Sequence, residues 1–359
     1  MAVLSDAQRE AGWTIVKLGD IAPLTYGKSL VASKRIPGDI PVYSSAGLID
    51  SHNEAIIDGQ NIIIGRKGTI GSITWSEGPA YPIDTTFYTA GTDKTNIKYL
   101  YYMLKTYKFS EMNTDSAVPG LNRVTFESQE AVLPSLEEQE RIARILGSLD
   151  DKIEANTRLI QTMEDYVHTM IKKISKSDSV KRVAIKDLAV HEKNQELPRE
   201  HVDGVIHHYS LPAYDSGKTP GLEEADSIKS NKFIIDKPCV LFSKLNPGTP
   251  RIWLVNPEEG VKSYASTEFI VLTPKENVDI ANLWAACSEE RISQNLADMA
   301  SGTSTSHQRV RPTDILNSKI LDLSNQSEIR SITSYIEALR EENLQLAETR
   351  DALIKRLIG

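Results

Sequence analysis

The sequence predicts an α+β protein in which two mixed α/β globules alternate with two long helices. Three observations carry this. A heptad seam occupies residues 142–174, a second copy of it closes the chain over 329–357, and the strand-and-turn segments before each copy echo one another. The order is globule, helix, globule, helix, with boundaries at 1–134, 135–176, 177–322 and 323–359.

The first helix opens at Leu133-Pro134-Ser135-Leu136-Glu137-Glu138-Gln139. Pro134 sits just before it, where a missing N–H costs little. Ser135 is the expected N-cap, with Glu138 as its reciprocal partner. Ile142, Leu146, Leu149, Ile153, Asn156, Ile160, Met163, Val167, Met170 and Ile174 then step alternately by four and three. Simple helix burial seldom keeps that alternation over several heptads. The polar Asn156 trades stability for register.

The second copy carries Ile332, Ile336, Leu339, Asn343, Leu346, Leu353 and Leu357, with Arg350 at one step. Aligning Asn156 with Asn343 gives an offset of 187 (343 − 156), which also pairs Ile142 with Ile329, Gln139 with Gln326 and Glu164 with Asp351. A constant offset marks an internal repeat.

Composition sets bounds. A chain of 359 residues, 40% hydrophobic and 25% charged, suits two folded domains plus connecting helices. No apolar run approaches membrane-spanning length, and Met1 to Gly12 is too polar for a signal peptide. Two cysteines, Cys239 and Cys287, fit buried side chains in a reducing compartment, hence a cytoplasmic protein. A net charge of −8 argues against coating nucleic acid by bulk charge, but a local basic cleft remains compatible with it.

In the first globule, Ile15 to Ile21 opens with alternation. Asn61 to Ile64, Gly71 to Trp75, Tyr81 to Ala90 and Gln129 to Leu133 read as strands between glycine-rich turns. Ile97 to Lys108 has helical spacing, and Ser116 to Arg123 reads as a loop. Two polar clusters stand out. Gly65-Arg66-Lys67-Gly68-Thr69-Ile70-Gly71 sets two cations between glycines, which suits close approach to phosphates or guanine edges and equally a solvated hairpin. It lacks the Gly-Lys-Ser/Thr of a Walker loop. Pro119-Gly120-Leu121-Asn122-Arg123 suits groove contact or a plain turn.

The second globule repeats the frame. Val183 to Ala189 echoes Val16 to Ala22 at an offset of 167, and Tyr264 to Phe269 echoes Tyr81 to Phe87 near 183. Cys239 to Phe242 and Arg251 to Val255 match the strands around Gly65, and Asn282 to Ile292 replaces the tyrosine-rich helix. His307-Gln308-Arg309-Val310 aligns with Leu121-Asn122-Arg123-Val124 at 186. The growing offset places about twenty extra residues before the core strands of the second globule. The polar tips differ, Arg66-Lys67 in one and Lys244-Leu245-Asn246 in the other. No active-site motif is present. The seven histidines lack metal-ligand spacing, and there is no Gly-x-Ser-x-Gly or dinucleotide fingerprint. Neither Asn246-Pro247 nor Asn256-Pro257 is followed by the aromatic residue that a methyltransferase motif needs.

These stretches resemble a known family. Pro41-Val42-Tyr43, Ile62 to Gly71, Asp84-Thr85-Thr86, Val118 to Arg123 and the Leu133-to-Ile145 junction are similar to the specificity subunit of type I restriction-modification systems. Val240 to Pro247 and Ser266 to Leu272 resemble another subtype of its target-recognition domain. The second junction, Leu323 to Ile329, departs from the pattern and lacks the proline.

The resemblance implies that each globule is a target-recognition domain reading one part of a split double-stranded DNA target. It implies that the long helices pack as an antiparallel coiled coil and act as a ruler. Two copies of a DNA methyltransferase subunit would dock there, and motor-nuclease restriction subunits can join. The chain itself would be non-catalytic and hold no metal or cofactor, with S-adenosylmethionine, ATP and Mg on the partners. Leu149 to Ile174 spans 26 residues, about 39 Å at 1.5 Å per residue, close to one DNA turn of about 34–36 Å. The expected helix-packing residues are Leu149, Ile153, Asn156, Ile160, Met163 and Val167, with Ile336, Leu339, Asn343, Leu346 and Leu353 opposite.

The expected DNA contacts in the first domain are Arg66, Lys67, Asn122 and Arg123, with Lys34, Arg35, Ser44 and Ser45 more peripheral. In the second they are Lys244, Asn246, Arg251, His307, Gln308 and Arg309. Two other classes stay open. A coiled-coil scaffold could bind protein through its globules, or the chain could itself be a nuclease or methyltransferase, which the missing motifs disfavour.

Overall fold

The computed structural model describes residues 3–112, 119–177, 180–300 and 308–359. The described chain forms two compact units, one of residues 1–155 and 342–359 and one of residues 156–341. Each therefore contains one globule and a stretch of both long helices.

In the first unit, Thr14–Lys17 pairs antiparallel with Glu130–Leu133, tying the start of the globule to the residues just before the first long helix. The expected alternation over Ile15 to Ile21 ends at Lys17. Leu18–Ile21 turns into a short helix that buries Leu18 and Ile21 together. A four-stranded antiparallel sheet has the order Thr25–Tyr26, Thr86–Thr89, Asn61–Gly65, Ile73–Ser76. Asn61–Gly65 is buried along its whole length, which explains its unbroken isoleucine run. A second sheet joins Gly47–His52, Ile40–Ser44 and Tyr81–Pro82, the last two parallel. The predicted strand Tyr81 to Ala90 is thus two strands, one in each sheet, separated by the turn at Ile83–Thr85. The helix predicted over Ile97 to Lys108 ends at Leu104, and the expected loop, described over residues 119–122, runs into a short helix, Arg123–Glu127, for which no expectation was made beyond Arg123.

The second unit repeats this sheet for sheet. Arg182–Ala184 pairs with Lys319–Leu321 at its base. Its four-stranded sheet has the same order: Ala189–Glu192, Phe269–Pro274, Cys239–Ser243, Ile252–Val255. Its second sheet is longer, ordered Gln195–Glu196, Lys232–Ile234, Ser263–Ala265, Val205–Tyr209, Gly221–Glu224. The parallel pair recurs between Val205–Tyr209 and Ser263–Ala265. Part of the insertion lies in the hairpin turn. Ile40–Ser44 turns into Gly47–His52 through Ser45-Ala46, whereas residues 210–220 separate Tyr209 from Gly221. Asn282 to Ile292 is not one helix but two, Ile280–Cys287 and Glu290–Met299, broken at Ser288-Glu289.

The long helices are Leu136–Ile174 and Ser327–Leu357. Every seam residue from Ile142 to Ile174 is buried or half-buried, as are Ile336, Leu339, Asn343, Leu346 and Leu353. Ser135 caps the first helix through the Glu138 N–H (3.3 Å), but the Glu138 carboxylate turns away and takes two hydrogen bonds from Arg141. The expected reciprocal cap is therefore half formed, because the guanidinium offers a stronger partner than one backbone N–H. Buried Gln139 ties the helix to the globule. Its Oε1 accepts the Asn96 N–H, and its Nε2 donates to the carbonyls of Lys94 and Pro134.

Within the first unit, Ile142, Leu146 and Ile354 share the globule's core with Leu18, Phe87 and Tyr102. Asp150 accepts hydrogen bonds from Arg350 (2.8 Å) and from the Tyr102 hydroxyl (2.5 Å), and Lys152 pairs with Glu342. Arg350, the irregular seam step, is thus neutralised by Asp150 and its neighbour Asp351. Within the second unit, Val167, Ile171 and Ile329 join the core of the four-stranded sheet. Glu164 accepts from Arg340 (2.5 Å), and the Tyr166 hydroxyl donates to Glu328. In both units, residues later on the first helix meet residues earlier on the second.

Candidate nucleic-acid interface

Arg66 follows the buried strand Asn61–Gly65 at the tip of the first unit. Three chain segments meet at its backbone. Its N–H donates to the Thr85 carbonyl (2.9 Å), and its own carbonyl accepts from the Leu121 N–H (2.9 Å). The two polar clusters singled out in the sequence are therefore adjacent, although 47 residues (72–118) separate them. Glycine is required at the start of the loop, since a Cβ at Gly65 would lie 2.1 Å from the Thr69 carbonyl oxygen.

The Arg66 guanidinium sits 5.0 Å from the centroid of Tyr26 and 5.8 Å from that of Phe87, and donates to the Asp84 carbonyl (3.3 Å). Aromatic faces hold a guanidinium in place without neutralising it. Lys67 beside it is exposed. Ser45 lies in the same group of tips: its N–H donates to Thr85 Oγ1, and its buried carbonyl accepts from Ser72 Oγ. Tyr26 was not a sequence candidate, because nothing in Thr25-Tyr26-Gly27 points to a residue forty positions away.

Other candidates have local duties. Asn122 Oδ1 accepts the N–H groups of Val124 and Thr125, so it caps the helix Arg123–Glu127. Arg123 pairs with Glu127 at 2.8 Å. Arg35 is largely buried and pairs with Asp50 at 3.0 Å, a contact that holds the Asp50 carboxyl below its usual range. Ser44 Oγ accepts the Ala46 N–H inside the hairpin turn, and Lys34 is exposed on a short 3-10 helix.

The second unit builds the same junction. Lys244 follows Cys239–Ser243, its N–H donates to the Glu268 carbonyl (2.8 Å) and its carbonyl accepts from the Val310 N–H (3.0 Å). Lys244 thus occupies the place of Arg66, Glu268 that of Thr85 and Val310 that of Leu121. The last equivalence has an offset of 189 (310 − 121), not the 186 expected from sequence. The helix starts agree with it, since Asn122 and Arg311 are the N-caps of Arg123–Glu127 and Pro312–Asn317. Arg309 is therefore the counterpart of Gly120 rather than of Arg123.

Around this junction, Asn246 adopts a left-handed backbone (φ 50°) and donates its N–H to the Gln308 carbonyl. Arg309 is 55% exposed and makes two hydrogen bonds to Glu268. Arg251 is only 16% exposed and makes two to Asp215. Two of the Arg309 nitrogens are occupied and its face stays open, whereas reaching a ligand with Arg251 requires opening its ion pair. His191 lies near Lys244. Burial, then the charges of Lys193 and Lys244, lower its pKa. His307 lies outside the described residues. Among the described residues, no group of three His, Cys, Asp or Glu could hold a metal ion, and no helix is long and apolar enough to cross a membrane.

The chain thus holds two copies of one sheet-built domain, each with a three-segment polar junction and each packed on stretches of the long helices. Residues 10–165 match the family described as type I restriction modification DNA specificity domain. The type I restriction enzyme EcoprrI specificity subunit of Escherichia coli is 26% identical over 139 residues, covering 37% of this chain and 35% of that one. The match therefore spans about a third of that relative's length. The crystal structure of the type I restriction-modification system S subunit from M. genitalium aligns over 97% of this chain and 96% of its own, with 13% identity and a TM-score of 0.57. The chain is similar to type I specificity subunits, in sequence over its first part and in fold over its length.

Proposed function

We propose that this chain is the DNA-reading subunit of a type I restriction-modification complex. Residues 1–134 and 177–322 are its two target-recognition domains, and residues 135–176 and 323–359 form an antiparallel coiled coil that spaces them. Each domain reads one part of a split double-stranded target. Two methyltransferase subunits dock on the helices, and motor-nuclease subunits join for restriction. S-adenosylmethionine, ATP and Mg act on those partners, while this chain catalyses nothing and works in the cytoplasm.

One observation supports the reading most. The same backbone junction recurs in both units with a cation at the same place, Arg66 in one and Lys244 in the other. A reader of two different half-sites needs such a constant frame with variable tips. Phosphate contacts would position each domain and base-edge contacts would specify the sequence. Arg66, Lys67 and Arg309 are the foremost contacts. Lys34, Arg35, Ser44, Ser45, Asn122, Arg123, Lys244, Asn246, Arg251, His307 and Gln308 complete the two surfaces, some by holding the tips in place.

The test is co-expression with a type I methyltransferase subunit, followed by mapping of methylated adenines across the genome. A motif of two fixed parts with a constant gap is expected. Methylation unchanged when this chain is deleted, together with no complex on purification, would favour a protein-binding scaffold instead.

A further inference from the structure

Residues 210–220 of the second unit do two things at once. At Asp215 the segment grips the Arg251 guanidinium through two hydrogen bonds of 2.7 and 2.9 Å. Three residues later, Lys218 Nζ reaches both carboxylate oxygens of Glu164, at 2.8 and 2.6 Å. Glu164 projects from the first long helix and is 4% exposed. Just before the first grip, Tyr214 lies edge-on against buried Trp253, and the Lys218 ammonium sits 5.4 Å from the Tyr214 ring centroid.

The backbone that delivers Lys218 is strained. Gly217 has φ 116° and Lys218 has φ 57°. A left-handed residue bearing a Cβ persists where its surroundings over-determine it, and such outliers mark function more often than chance. Here the surroundings are a buried carboxylate. Glu164 also accepts a hydrogen bond from Arg340 of the second long helix, so the segment is fastened to both helices. A second tie runs from Asn256, just after Ile252–Val255, to Glu337 at 3.2 Å. The corresponding hairpin of the first unit turns back through Ser45-Ala46 alone.

We propose that Ser210 to Pro220 is a brace and Lys218 its positioning residue. It fixes the reading edge around Arg251 against the helices and so sets where the second half of the target is read. The inference rests on the split-target reading and adds a device that keeps the gap between half-sites to one length.

The test is Lys218→Gly in the full chain, co-expressed with its methyltransferase subunits, with methylated sites mapped and thermal unfolding of the purified complex followed alongside. Glycine suits the left-handed backbone, so a residue serving only the turn would tolerate or profit from the change. The brace predicts a folded complex whose methylation spreads to sites with a gap one base pair longer or shorter. Discrimination between gap lengths should fall about tenfold, equivalent to about 1.4 kcal/mol, with both half-site sequences unchanged. Lys218→Arg, which keeps the cation, should restore the single gap. Glu164→Gln is the second variant should glycine prevent assembly, and it should relax the gap in the same way. An unchanged gap in an assembled Lys218→Gly or Glu164→Gln complex overturns the brace. Failure of the wild-type chain to direct methylation to any split site overturns the underlying reading, and the brace with it.

Discussion

Arg66, the foremost of the proposed DNA contacts, shows how a side chain can be positioned without being neutralised. It is held by aromatic faces and one backbone carbonyl, so its charge and most of its donors stay available. Lys67 has no such support and offers a mobile point charge. The two should therefore fail differently. Arg66→Ala should cost about 1–3 kcal/mol at the preferred site and relax one target position, whereas Lys67→Ala should weaken all sequences alike and lower the salt slope by about one. Binding titrations against matched and singly altered duplexes at several salt concentrations separate the two, and uniform weakening by Arg66→Ala would demote it to a phosphate contact. Arg123 shows what residue type alone leaves out. Its neighbour Asn122 is committed to a helix cap and Arg123 itself to Glu127, and both commitments depend on a short helix that the Ser116-to-Arg123 stretch did not announce. A different residue supplies a pH test. Burial pushes the Glu337 carboxyl above its usual range, outweighing the pull of Arg340. A carboxyl that ionises less readily in the folded chain is no handicap below its unfolded pKa of about 4.3 and becomes one as pH rises past it. Denaturant unfolding from acid to neutral pH should thus show the stability difference moving in favour of Glu337→Gln as pH rises, and the opposite trend would mean that Arg340 dominates.

Elements that declare themselves by period were legible in the sequence. The seam from Ile142 to Ile174 is buried or half-buried throughout because a four-three alternation admits one apolar stripe. The strand at Asn61 was legible because three isoleucines in a row suit burial on both faces. Elements defined by tertiary partners were not. The alignment of Gln308-Arg309 with Asn122-Arg123 slipped by three because short polar segments carry no period, and only the meeting with Lys244 and Arg66 fixes their register. Gln139 lies between these cases. Its repeat partner Gln326 made it visible, but its role emerges only from two hydrogen bonds that join the first long helix to the loop before Ile97–Leu104 and a third to the Pro134 carbonyl. Replacing this buried side chain with alanine removes all three and leaves the Asn96 N–H without its acceptor. Gln139→Ala should therefore destabilise the chain by about 3 kcal/mol, at roughly 1 kcal/mol per bond. Urea unfolding would show it, with Glu140→Ala on the exposed side of the same turn as the control that stays near zero.

At the scale of the molecule, a chain of net charge −8 must concentrate its cations to meet DNA. The fold places Arg66 and Lys244 at equivalent junctions, which under the proposed function would do so by repetition, while carboxylates such as Asp215 and Glu268 hold other guanidiniums. On the proposed reading, the helices carry the remaining variable, the distance between half-sites. Leu136–Ile174 has 39 residues, about 58 Å of helix at 1.5 Å per residue. Its seam continues through Asn156, where one compact unit gives way to the other. If the paired helices are the ruler, shortening both should shorten the target and leave its sequence alone. Removing residues 153–156 and 343–346 takes about 6 Å from each helix, between one and two base pairs at about 3.4 Å per pair. A four-residue step is one of the two steps the seam already uses, so the remaining stripe stays near the same face. Methylation mapping of this double deletion should return both half-sites unchanged with the gap shortened by one or two base pairs. An unchanged gap in an assembled, active complex would mean that the distance is set elsewhere, in the domains or in the partner subunits that hold the DNA.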